Sequence, residues 1–313
     1  MQVEIIKCHG SGNEFVMVDM VAQPPIGDMA EFARQICSHE VVGKADGVLY
    51  VVKVGGHYAM RMFNPDGSEA EMCGNGIRCV ARLVEERFFA ERDFTLLSGG
   101  NSYPIHRADD IAGCIRAYGV DIGVKTTSPD FGFAEGRESF IGQEIASLGG
   151  EEQFTALNLG NPHIVAAVEE IDMARLQELG ERVQLLKKDF PRGINVSLFR
   201  KCNKSAIFVA TYERGAGITY SCGTAMTASS TASVLLGLCE ADSDISVLNK
   251  GGMVICRCTP TADGIVTRLT GNATYRWVGE AEWSGDRIES VTIGKHFAAE
   301  CERYDEFVMA LNM

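Results

Sequence analysis

No stretch of this chain approaches the ~18 consecutive apolar residues that a membrane-spanning helix needs. The opening segment, MQVEIIKCHGSGNEF, also lacks the basic run followed by a long apolar one that marks a secretory leader. A soluble, cytoplasmic protein is the expectation. Basic charge is scarce too: 29 Lys and Arg stand against 42 Asp and Glu, a formal net charge of -13. Holding a phosphate backbone requires clustered cations, so neither nucleic acid nor a membrane is expected as a partner. Eleven cysteines are present, yet no Cys-x-x-Cys pair occurs. In CRC, Cys256 and Cys258 alternate along a strand with both thiols on one face, a poor spacing for structural zinc. The cysteine count is odd and nothing directs the chain to an oxidising compartment, so most thiols are read as reduced. Short-period repeats and disordered or collagen-like bias are also missing, with 23% charged and 46% apolar residues. A folded chain of about two domains' length, at ~150 residues each, follows from its 313 residues.

What is present reads first as strands. VEIIK, FVMVD, GVLYVVKV and YAMRMFN alternate β-branched and aromatic residues between glycine or polar punctuation. One helix near 28 to 38 interrupts them, with Phe32 and Ile36 on one face. After NPDGSEAEM, the spacing of Ile77, Val80, Ala81 and Val84 predicts a second helix, with Cys73 just before it. Strands resume at FTLLS and CIRAYGVDIG, and KTTSPDFGFAEGRE reads as the linker between halves. The second half repeats the plan: FTALNLG and HIVAAV, two helical stretches between 169 and 190, then INVSLFRK and AIFVATYERG. Next, in SCGTAMTASSTASVLLG, Cys222 and Gly223 precede a helix whose small face is Ala225, Ala228, Ser229 and Ala232, ended by Gly237. A strand pair around Gly251-Gly252 and a run from Ile265 to Trp277 follow.

The pattern of strands, Cys-Gly turn and buried helix thus occurs twice. It predicts an α+β fold of two similar domains, each a curved, barrel-like mixed sheet around a central helix, with one cleft between them. The expected domains are residues 1–125, completed by a C-terminal strand near 270–285, and 126–270, with 285–313 an extra segment.

A thiol at a helix start meets backbone N–H groups that have no internal partner and the positive end of the helix dipole. These stabilise a thiolate and lower its pKa toward neutrality, which makes it a useful base. The amides of Gly74, Asn75, Gly223 and Thr224 can also cradle a carboxylate. Two such turns leave the carbon beside that carboxylate flanked by two thiols, one to remove a proton and one to return it. A thiol nucleophile would need only one cysteine and a base. The plainest alternative makes both cysteines small residues buried at tight turns. Asn13, Asn64, Asn161, His163, Asn195 and Glu213-Arg214 supply further donors and acceptors, including a guanidinium able to grip a second carboxylate. His39, His57, His106 and His296 have no such context.

Four segments, HGSGNEFVMVD, NPDGSEAEMCGNGIRC, GNPH and ERGAGITYSCGT, stand in the order and spacing of the diaminopimelate epimerase family, over roughly residues 1 to 280. The chain resembles that family of racemases and epimerases, which work without pyridoxal phosphate. The resemblance implies interconversion of LL- and meso-diaminopimelate with no cofactor and no metal. It implies Cys73 and Cys222 as the thiol acid and base, assisted by His163 and Glu213. By the same resemblance Asn13, Asn64, Asn161, Asn195 and Arg214 hold the substrate's far amino and carboxylate groups, and Gly74, Asn75, Gly223 and Thr224 its reacting carboxylate. A small-molecule amino acid is then the partner, and a homodimer is compatible with it. Ile218 stands where the family commonly has an acidic residue, Met226 lies in an altered stretch, and the end of the chain is unlike the family's. These departures bear on the substrate, so histidine or lysine racemisation by the same mechanism stays open. From other classes, a Cys-His hydrolase or acyltransferase using His163, and a thiol-rich binding module, remain rivals.

Overall fold

The computed structural model describes residues 1–88, 91–219, 221–262 and 264–311. The chain forms two compact units: Met1–Val120 with Thr270–Met313, and Asp121–Leu269.

The strands of the first part are β1 (Gln2–Gly10), β2 (Asn13–Asp19), β3 (Gly47–Val54), β4 (His57–Phe63), β5 (Glu69–Ala70), β6 (Asp93–Ser98), β7 (Asn101–Arg107) and β8 (Ala117–Val124). Two helices separate them, α1 (Met29–Ser38) and α2 (Gly74–Phe88). Asp28 starts α1 by accepting the Glu31 N–H, which relieves one of the donors orphaned at a helix start. Phe32, Ala33 and Ile36 then turn inward, onto a core with Val3, Val16, Tyr50 and Trp283. β1 runs antiparallel to β2, β2 parallel to β3 across α1, β3 antiparallel to β4, and β4 parallel to β6 across α2. β5 closes on β4, β6 pairs with β7, and β7 with β8.

The second unit has the same succession. Its strands are β9 (Gln143–Glu144), β10 (Gln153–Asn158), β11 (Pro162–Ala167), β12 (Asn195–Asn203), β13 (Ala206–Glu213), β14 (Gly217–Thr219), β15 (Asp244–Asn249) and β16 (Gly252–Thr261), followed by β17 (Gly264–Asn272). Helix α3 (Met173–Leu185) makes the parallel crossover from β11 to β12, and α4 (Gly223–Leu235) the one from β13 to β15. The pairs β10–β11, β12–β13 and β15–β16 are antiparallel. Leu176, Leu179 and Val183 of α3 pack on Phe154, Ile164 and Val196, as α1 packs in the first unit. The expected α+β duplication is there, element by element.

Helices α2 and α4 are central. From Gly74 to Val84 and from Gly223 to Ser233 every residue is buried, so neither has the single apolar face that periodicity suggests. Strands β1 to β4 contact α2, and β10 to β13, β15 and β16 contact α4. Gly10 permits this closeness: a Cβ there would lie 2.8 Å from the Asn75 carbonyl oxygen.

Other local expectations change. The two helical stretches between 169 and 190 are one helix, because past Leu185 the chain turns at Leu186 and reaches Pro191, which lacks the N–H a helix needs. The run from Ile265 to Trp277 is broken at Ala273, whose N–H donates to Arg116 O at 2.9 Å, so that β18 (Thr274–Trp283) returns to pair with β1. Residues 125–138 are no bare linker, since Phe131 and Ala134 are buried in the second core. The segment beyond 285 adds β19 (Ile288–His296), antiparallel to β18, and α5 (Ala298–Leu311). Residues 312 and 313 lie outside the described residues.

Candidate active site

In each unit the cysteine singled out by sequence is the residue on which a central helix begins. The Cys73 carbonyl accepts from the Ile77 N–H at 2.9 Å and the Cys222 carbonyl from the Met226 N–H at 3.0 Å. The first-turn amides that follow are the anion-binding groups of a helix N-terminus.

In the first unit, the half-buried Cys73 Sγ receives the Gly76 N–H at 3.4 Å and lies 3.8 Å from Asn13 Oδ1. Asn75 donates to that same oxygen at 3.5 Å, and Asp46 holds the other end of Asn13 by accepting from its amide nitrogen at 2.7 Å. Below the turn lies Arg78, wholly buried. Its guanidinium donates to Gly74 O (2.8 Å), Asn75 Oδ1 (2.9 Å), Ser11 Oγ (3.1 Å) and Asn272 O (3.3 Å). Cys73, Gly74, Asn75 and Asn13 therefore form one cluster. Asn64 is held in its own turn, donating to Ser68 Oγ at 3.0 Å.

In the second unit, Cys222 Sγ lies 3.5 Å from Thr224 Oγ1 and receives the Ala225 N–H. The Glu213 carboxylate accepts from the thiol, and Thr219 Oγ1 donates to Glu213 Oε1. Burial pushes the Cys222 thiol well up, the Glu213 charge adds to this, and the Thr224 and Ala225 contacts only partly oppose it. Loss of hydration thus opposes, at Cys222, the acidifying helix start expected from sequence. From Thr224 a chain runs inward: Asn161 donates to Thr224 Oγ1 at 3.2 Å, and His163 Nε2 meets Asn161 Oδ1 at 3.1 Å. Burial, with Arg214 adding, lowers the His163 pKa to about 3, so the ring is neutral and donates through Nε2. Its Nδ1 is buried and has no hydrogen-bond partner among the described residues. Asn195 donates to Pro162 O at 3.2 Å and accepts the Arg214 N–H at 2.9 Å, which fixes the turn carrying Glu213. The Arg214 side chain is exposed, and its guanidinium donates to Arg192 O at 3.1 Å. Tyr220, inside the same motif, lies outside the described residues.

Asp46, Ser11, Arg78 and Thr219 are the members that sequence reasoning missed. Only Arg78 gave a signal, a charge inside an otherwise apolar helical pattern. A cavity of about 760 Å³ in the second unit, lined by Lys125, Arg137 and Lys188 among others, has none of the site residues in its wall. Among the described residues no helix is long and apolar enough to cross a membrane, and no cluster of three His, Cys, Asp or Glu residues is placed to hold a metal.

Solved structures share this fold. A phenazine biosynthesis protein of the PhzF family from Bacillus anthracis aligns with TM-score 0.65 at 16% identity, over 90% of this chain and 99% of that one. A hydroxyproline epimerase from Agrobacterium vitis aligns with TM-score 0.60 at 16% identity, over 89% and 90%. The fold is thus one that isomerases use. The diaminopimelate epimerase family model matches residues 5–111 and 155–276. The diaminopimelate epimerase of Clostridium acetobutylicum is 36% identical over 98% of this chain and 94% of that protein, and that of Ligilactobacillus salivarius 37% over 87% and 88%. The chain belongs to the diaminopimelate epimerase family and is an isomerase.

Proposed function

We propose that this protein interconverts LL- and meso-diaminopimelate, a step of lysine biosynthesis, with Cys73 and Cys222 acting on one α-carbon and no pyridoxal phosphate. The observation that carries this is the repeated helix start, each with a cysteine, the amides of a first turn and an asparagine. One thiolate takes the α-proton as the Cα–H bond breaks. The electron pair moves into the carboxylate, whose growing charge the helix-start amides accept, and the other thiol gives a proton to the opposite face of the carbon. Burial and Glu213 keep Cys222 protonated in the resting protein, which suits it as the acid; in the reverse direction it is the base. A reducing cytoplasm is the setting that suits two working thiols.

The hydrolase reading loses support, because His163 is buried, neutral and bonded to Asn161 rather than to a thiol. The rival substrates, histidine and lysine, rest on Ile218, half-buried on β14 opposite Tyr212. Met226 does not strengthen that rival: it is buried, and its thioether takes the Asn249 amide at 3.1 Å. Incubation of LL-diaminopimelate, histidine and lysine separately in deuterated buffer, without pyridoxal phosphate, tests the reading. α-Deuteration of diaminopimelate is expected. Exchange of histidine or lysine with diaminopimelate inert would replace the substrate and keep the mechanism.

A further inference from the structure

The family model ends at residue 276, yet the Clostridium relative aligns over 98% of this chain. The segment beyond β18 is therefore shared by that relative while lying outside the matched family core. Its helix α5 buries Tyr304 and half-buries Cys301, Phe307, Val308 and Leu311 along the same face.

The helix packs on β18, and two of its side chains reach further, one to α2 and one to β1. Glu300 meets Arg82 with both carboxylate oxygens, one of them at 3.1 Å from the guanidinium, and also accepts the Tyr275 N–H at 3.1 Å. Arg82 is nearly buried, stacks 3.7 Å over the Tyr275 ring and donates to Ala273 O at 2.7 Å. One turn along α5, Tyr304 packs edge-on against His9 with ring centroids 4.6 Å apart. His9 leads directly to the thiol turn. The Asn272 amide reaches His9 O at 3.3 Å, Asn272 Oδ1 accepts the Ser11 N–H at 2.7 Å, and Arg78 joins Ser11 and Asn272 to Gly74 and Asn75.

We propose that β19 and α5 form a positioning strap for the Cys73 turn, with Glu300 and Tyr304 as positioning residues that hold α2 and β1 in place through Arg82 and His9. The physical case has two parts. A buried guanidinium needs carboxylates to offset its lost hydration; Arg82 has Glu86 within α2 at 2.9 Å, and Glu300 brings a second from outside the family core. A helix start aims a thiol only as well as the helix itself is held, and misplacement of about 1 Å at a reacting group can cost a hundredfold in rate. The strap rests on Cys73 being a proton-transferring thiol, but its position can be read without any substrate.

The experiment follows iodoacetamide labelling of Cys73 and Cys222 in the full chain by peptide mass spectrometry, from about pH 6 to about pH 10, the range where thiols ionise. Glu300→Gln and Tyr304→Leu are compared with Glu302→Gln, an exposed change on the same helix with the same loss of charge. The first two should alter the rate or pH midpoint of Cys73 labelling, leave Cys222 as in the parent, and lower kcat about tenfold with KM little changed. Glu302→Gln should match the parent. Equal changes at both thiols, parent-like Cys73 in the folded variants, or failure of both variants to fold would make the segment a general support of the fold and overturn the proposal. Altered Cys73 labelling in a protein inert toward diaminopimelate would leave the strap standing and remove the substrate.

Discussion

The two units build the same object, a cysteine at the head of a buried helix, from different polar materials. Helix α2 carries two buried arginines, and both reach outside the helix: Arg78 to Ser11 and Asn272, Arg82 to Glu300. Helix α4 has no charge. Its hydroxyls turn back on its own carbonyls, Thr227 to Gly223 O at 2.9 Å, Ser230 and Thr231 to Thr227 O at 2.9 Å, and Ser233 to Ser230 O at 2.7 Å. Such local bonds satisfy the side chain without tying the helix to its surroundings. The outward contacts are Thr224, which accepts from Asn161 at 3.2 Å, Ser230, which accepts from Cys258 Sγ at 3.7 Å, and Thr231, 2.8 Å from Thr267 Oγ1. Position in α2 is thus set by long-range charged hydrogen bonds, and in α4 by small residues packing closely against strands. The thiols differ to match: Cys73 is half-buried beside an amide, whereas Cys222 is buried beside a carboxylate. A duplicated fold can keep the placement of a reactive group and still give its two copies different surroundings.

Removing either thiol is the largest perturbation and treats the halves as equal. Cys73→Ser and Cys222→Ser should each lower epimerisation by about 10²- to 10⁴-fold, since a serine hydroxyl is too weak an acid to form the base. Turnover of one variant within tenfold of the parent would break the pairing.

Next in size is Arg78→Met, set against Thr231→Val. Losing Arg78 strips the donor from several buried acceptors and should cost on the order of 3 kcal/mol in urea unfolding. Losing one hydroxyl that bonds largely within its helix should cost about 1 kcal/mol. Equal costs would mean that the charged network does not set α2 apart.

The pH dependence sharpens the same contrast, because each unit buries one neutral histidine. His9 and His163 are both lowered to about 3, chiefly by burial. In the unfolded chain each has a pKa near 6.5, so between about pH 6.5 and pH 3 the unfolded state binds more protons and stability falls with pH. The stabilisation is whole above about pH 6.5 and declines by up to about 1.4 kcal/mol per pH unit for each ring. His163→Gln should remove one such slope and leave that of His9, measured as urea midpoints from about pH 7 to about pH 5 beside the parent. An unchanged slope would show that His163 is already charged in the folded protein.

Smallest is Arg214→Met. Its side chain is exposed and spent on one carbonyl, so stability should change by about 0.5 kcal/mol or less. A larger loss of turnover on diaminopimelate than on a mono-carboxylic amino acid would assign it to the far carboxylate.

The sequence by itself determined the duplication, the two central helices and the cysteines at their heads. Apolar spacing and Gly punctuation are local signals, and Ile77, Val80, Ala81 and Val84 mark a buried helix whatever surrounds them. It also named Asn161, His163, Asn195 and Glu213 of the second unit, which stand near strand ends. Tertiary structure alone decided the rest. Pairing of β18 with β1 over some 270 intervening residues brings Asn272 beneath α2. That pairing gives the buried Arg78 its Asn272 acceptor, and α5 adds Glu300 to the Glu86 partner that Arg82 has within α2. Likewise the raised Cys222 follows from how completely its surroundings exclude water, which no pattern of neighbours along the chain records. Hydration, charge pairing and the aim of a thiol depend on groups distant in sequence, and the fold is what brings them together.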